Sequence, residues 1–145
     1  MRFWGLIVIA AMALACGSTE PPDLQVPLTS GGGEAYTLLV YDATGLVTDV
    51  RNLGWQPGEP TDGAFAFPER QQVEIHWIGG ACAHRPTLEI TGNASDLLVT
   101  VTNPADPNFL PFLPIGCPAV GIPLAVTISM SQPIQQQDVG MTEHY

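Results

Sequence analysis

The chain is built from short runs in which large apolar side chains alternate with polar ones. Residues 73–78 are the sharpest case. Val73, Ile75 and Trp77 fall on one side of the run, and Glu74, His76 and Ile78 on the other. A period of two belongs to a strand with one buried face and one face turned to water. The pattern predicts a central strand with Trp77 in the core and with Glu74 and His76 on the solvated face. Gly79-Gly80 breaks the run, and Cys82 follows at once. Three more runs share this period. Leu88 and Ile90 point inward across 87–91, Leu97, Val99 and Val101 across 96–102, and Leu124, Val126, Ile128 and Met130 across 124–131. Gly92-Asn93-Ala94-Ser95 joins two of these as a hairpin.

Residues 35–42 and 46–51 are apolar and β-branched, and Asp42-Ala43-Thr44-Gly45 stands between them. This predicts a second hairpin, with Gly45 free to take a positive φ. Residues 64–67 read as a short edge strand halted by Pro68, and 133–139 as a further edge strand. Residues 52–63, which include Trp55, and 103–123 read as loops. Nothing beyond the N-terminus has a helical period. Six to eight short strands separated by turn signals predict an all-β domain, a β-sandwich of immunoglobulin-like architecture. Its expected extent is 35–140, with 141–145 as a patternless tail.

Composition narrows the function classes. The 145 residues suffice for one domain. There is no lysine, the four basic residues are all arginine, and the formal charge is −10. All fourteen acids lie after residue 19. Such a chain repels phosphate backbones, which argues against nucleic-acid partners. It also offers no polybasic route to anionic lipid.

The N-terminus carries an address. Arg2 precedes thirteen apolar or small residues, 3–15. That length suits an export signal and falls short of a bilayer span. Residues 1–15, with Ala13-Leu14-Ala15-Cys16 as the lipobox, resemble the signal peptide of bacterial lipoproteins. The resemblance implies a diacylglyceryl group on the Cys16 thiol, cleavage just before it and acylation of the new amine. The protein would then sit on the outer side of the cytoplasmic membrane or in the outer membrane, with two or three acyl chains as a strong anchor. The alternative is secretion through the A-x-A site that the same residues form. Residues 16–34 hold three prolines and Gly31-Gly32-Gly33. They read as the lipidated cysteine and a flexible tether.

With Cys16 lipidated, Cys82 and Cys117 remain as one pair in an oxidising compartment. A bridge between them closes a loop of about 36 residues, worth roughly 3.8 kcal/mol by chain entropy. Two free thiols are the alternative. A metal site using His84 falls short of four ligands. Gly79-Gly80-Ala81-Cys82 followed by Gly116-Cys117-Pro118-Ala119-Val120-Gly121 is similar to a pattern in small exported domains of unassigned function from GC-rich bacteria. That resemblance spans residues 73–131 and implies no activity.

Candidate chemistry is sparse. Glu74 and His76 share a strand face, as half of a hydrolytic site would, but no G-x-S-x-G or H-E-x-x-H accompanies them. His84-Arg85 is a loop candidate for an anionic ligand. Asp42, Asp49, Glu59 and Asp62 lack the spacing of a calcium loop. Residues 108–115 form an uncharged apolar segment rich in proline. They either cap the open end of the fold or make Phe109, Leu110, Phe112 and Leu113 a contact patch for a partner or membrane. The reading is a non-enzymatic, lipid-anchored binding or envelope-structural module without metal or cofactor. It meets the membrane through Cys16 and leaves room for an envelope partner. The alternative is an anchored hydrolase using Glu74 and His76.

Overall fold

The computed structural model describes residues 20–82, 85–104 and 121–145. These residues are all-β, with nine strands arranged in two sheets rather than a closed barrel. The strands are β1 (Leu24–Thr29), β2 (Ala35–Asp42), β3 (Val47–Asn52), β4 (Gly63–Phe67), β5 (Gln72–Gly80), β6 (Thr87–Asn93), β7 (Asp96–Thr102), β8 (Gly121–Met130) and β9 (Val139–His144). Short 3-10 turns occupy Pro68–Arg70 and Gln136–Asp138. No helix among the described residues is long and apolar enough to cross a membrane.

The five-stranded sheet runs β1-β2-β6-β7-β9 and the four-stranded sheet β3-β8-β5-β4. The smaller sheet is antiparallel throughout. The larger one contains two parallel neighbours, β2 with β6 and β7 with β9. The edges of the two sheets lie beside one another, β1 near β3 and β4 near β9. Alternate residues from both sheets meet in one apolar core. Trp77 is fully buried there with Val73 and Ile75, and so are Leu88, Ile90, Val99, Val101, Val126 and Ile128. The alternation read from the sequence therefore marks the core correctly in β5 to β8. The β6–β7 hairpin also pairs as expected, Asn93 facing Asp96 across its turn. At Gly92, φ is +93° and a Cβ would fall 1.9 Å from the Asp96 carbonyl oxygen, so only glycine fits.

Four expectations are corrected. First, residues 24–29 are not tether. They form β1, pair with β2 along their length and bury Val26 and Leu28 in the core. The intervening prolines concealed this strand, but Pro27 lies in an edge strand, where a missing N–H is tolerated. Second, 35–42 and 46–51 are not a hairpin. Both flanks of β2 are occupied, by β1 and β6, so the chain crosses at 43–46 into the other sheet. Asp42 holds the corner, its carboxylate accepting from the Thr44 and Val47 amides and the Thr44 hydroxyl. Third, 133–139 is not an edge strand. The edge is β9, which runs through the expected tail as far as His144. Fourth, Glu74 and His76 do not share an open, wet face, because His76 is buried.

Strand directions define two ends of the body. At one end stand the start of β1, the 43–46 corner, the β6–β7 turn and the start of β9. At the other stand the β1–β2 turn, the end of β5, the end of β7 and the start of β8.

Candidate functional site

The loop between β3 and β4 folds back over the outer face of the four-stranded sheet. Its first contact is the Leu53 amide donating to the Ala125 carbonyl. Further on, the Pro60 carbonyl lies 2.9 Å from His76 Nδ1. A carbonyl only accepts, so Nδ1 carries the proton. The His76 ring is 3% exposed and meets the Phe65 ring edge-on at 5.3 Å between centroids. Its Nε2 lies 3.8 Å from Glu74 Oε2, too far for a hydrogen bond. Histidine and glutamate are thus neighbours on one face, but His76 serves as a support beneath the loop. The alternation placed His76 on the outer face correctly. What it could not see was the loop that covers that face.

The same loop carries Trp55. The indole Nε1–H donates to the Pro60 carbonyl at 3.1 Å and more weakly to that of Glu59 at 3.3 Å. The Gln56 backbone N–H donates to the Glu59 carboxylate at 2.9 Å, and its side-chain Nε2 donates weakly to the Gly54 carbonyl at 3.4 Å. These bonds consume the indole donor and leave the ring as an apolar surface. Across from it is the β1–β2 turn. There Ser30 is buried, its hydroxyl accepts from the Glu34 amide at 3.1 Å, and its carbonyl accepts from Gly33, whose φ is +85°. The turn sets Glu34 beside Tyr36, whose hydroxyl donates to Glu34 Oε2 at 3.1 Å. Burial, reinforced by that carboxylate, pushes the Tyr36 hydroxyl up to about 12.

Between turn and loop lies a cleft of about 620 Å³. Trp55, Pro57, Ile122 and Pro123 supply apolar walls, Gly31, Gly32 and Gly121 supply backbone, and Glu34 and Gln56 supply polar groups. The size suits a small-molecule site. Among the described residues of the lining Glu34 is the lone charge, and it disfavours anions. Sequence reasoning noticed Trp55 in a Gly/Pro-rich loop but had no means of bringing it to residues 31–34 and 121–123. A tryptophan in an irregular, polar stretch was the available signal.

Among the described residues, no group of three or more His, Cys, Asp or Glu is placed to hold a metal. Cys82 lies two residues beyond the end of β5. Cys16 and Cys117 lie outside the described residues, as do His84 and the Phe109, Leu110, Phe112 and Leu113 patch. Comparison with protein-family models, with curated proteins and with solved structures returns no match. The class defined by fold and site is accordingly a two-sheet, all-β protein with a cleft at one end.

Proposed function

We propose that this chain is an exported, lipid-anchored β-sandwich that acts as a non-enzymatic binding module, with the end cleft as its binding site. The observation that carries the reading is the placement of that cleft. The chain enters the fold at Leu24, and the cleft lies at the opposite end, on the β1–β2 turn and the start of β8. An anchor on Cys16 would hold the body by its entry end and turn the cleft away from the bilayer. Only residues 17–23 then remain as tether, about 25 Å at full stretch. The acids Asp23 and Asp42 stand at the entry end, where Asp23 accepts from the Asp42 amide. They disfavour that end's lying on anionic lipid.

The sandwich is immunoglobulin-like in having two sheets on one core, with parallel neighbours in the larger sheet as its own departure. Cys117 is the proposed partner of Cys82. The segment 105–120 leaves after Pro104 and returns at Gly121, both at the end of the body where Cys82 stands. A binding role is favoured over hydrolysis because His76 is buried and its Nδ1 is held by Pro60. Intact mass of the membrane-extracted protein tests the anchor. The expected species starts at Cys16, carries two or three acyl chains and gains two mass units on reduction. An unacylated species, or a Cys16→Ser variant that stays with the membrane, overturns it.

A further inference from the structure

We infer that the end cleft binds an uncharged polyhydroxyl ligand, a saccharide, by stacking on Trp55 and hydrogen bonding to Glu34 and Gln56. The inference rests on reading the cleft as the binding site and adds the chemistry of its occupant. Three features of the lining carry it. The Trp55 Nε1–H is already donated within its own loop, so the side chain offers a ring face and no donor. A sugar ring presents a face of C–H bonds that packs on such a surface. Glu34 then supplies a carboxylate fixed from behind by the Tyr36 hydroxyl. A carboxylate only accepts, and hydroxyl donors meet it in charge-assisted bonds, stronger than neutral ones. Finally, Gln56 adds an amide able both to donate and to accept. Adjacent sugar hydroxyls need that combination, because each hydroxyl does both.

The competing occupants are weaker fits. An anionic ligand would meet Glu34 with no basic residue among the described lining residues to offset it. An organic cation would have one aromatic ring and one solvated carboxylate. A single exposed cation–π contact is worth only about 0.5–1 kcal/mol. Among the described lining residues, Pro57, Ile122 and Pro123 offer apolar walls but no further ring to build a cage.

The test uses the full-length anchored protein in lipid nanodiscs and saturation-transfer NMR on small probes. Maltotriose and N,N′,N″-triacetylchitotriose are the neutral saccharides, choline the cation and glucose 6-phosphate the anion. Saturation transfer to the ring C–H protons of at least one neutral saccharide is expected, with a dissociation constant at least tenfold below that of either charged probe. Trp55→Ala should reduce the transfer at least fivefold. Gln56→Ala, which removes the side-chain amide and with it only the long bond from Nε2 to the Gly54 carbonyl, should weaken binding roughly threefold to tenfold. Failure of both saccharides, or equal transfer in wild type and both variants, overturns the assignment. If choline alone gives transfer that depends on Trp55, the ligand class is wrong while the cleft remains a binding site. The mass measurement on Cys16 is unaffected by either result.

Discussion

Leu28→Ala is the most direct probe of where the fold begins. Leu28 is 1% exposed, pairs with Tyr36 across the β1–β2 ladder and packs into the common core. Truncating a fully buried leucine removes its transfer free energy and leaves a cavity, a combination that costs about 3–5 kcal/mol. β1 is an edge strand and its surroundings can relax, so the lower end, about 3 kcal/mol, is expected. In a Cys16→Ser background, urea unfolding followed by far-ultraviolet circular dichroism should show the loss. With a slope of about 1–3 kcal/mol per molar, the midpoint should fall by roughly 1–3 M. Leu24→Ala is the control. Leu24 belongs to the same strand but is 38% exposed, and its truncation should cost no more than about 0.5 kcal/mol, as for an ordinary surface site. If Leu28→Ala moves the midpoint no more than Leu24→Ala does, residues 24–29 are tether after all and the β1 pairing is wrong.

Gly92→Ala should destabilise by at least about 1–3 kcal/mol through backbone strain alone, because its φ is +93° and a Cβ would strike the Asp96 carbonyl. A thermal melt unchanged within error would contradict the tight β6–β7 turn. His76→Ala should loosen the loop over residues 53–62 by removing the anchor on the Pro60 carbonyl. Faster amide exchange there, with the β6 and β7 amides unaffected, is the expected signature. Glu143 gives a pH signature. Burial holds its carboxyl above the ordinary glutamate value, opposed by the bond from the Tyr145 hydroxyl and supported by the neighbouring Asp62. The folded carboxyl therefore keeps its proton to higher pH than the unfolded one. Its contribution to stability is full below the unfolded pKa of about 4.3 and is lost as pH rises through the raised folded value. Melting temperatures between about pH 4 and pH 7 should decline less steeply for Glu143→Gln than for the parent, and parallel curves would show that the pKa is not raised. Tyr36 should ionise with a midpoint near 12 in an absorbance titration, and Glu34→Gln should bring that midpoint down.

Alternating hydrophobicity is a local property, so the sequence by itself determined which faces of β5, β6, β7 and β8 enter the core. Trp77 and its neighbours on those strands follow from a period of two and need no knowledge of partners. The one hairpin whose turn demands a glycine was legible for the same reason. Pairing is a long-range matter. Whether Asp42–Gly45 closes a hairpin or carries the chain between sheets depends on whether β2 still has a free edge, and β1 and β6 leave it none. Tertiary structure alone decided that a proline-bearing stretch at 24–29 is a strand, because its ladder partner makes it one. It also decided that an outward-facing histidine is buried, because a loop more than ten residues earlier in the chain lies across it. The cleft belongs to the same category. Glu34, Trp55 and Ile122 are separated by up to 88 positions, and no pattern within a single segment records that folding sets them around one space.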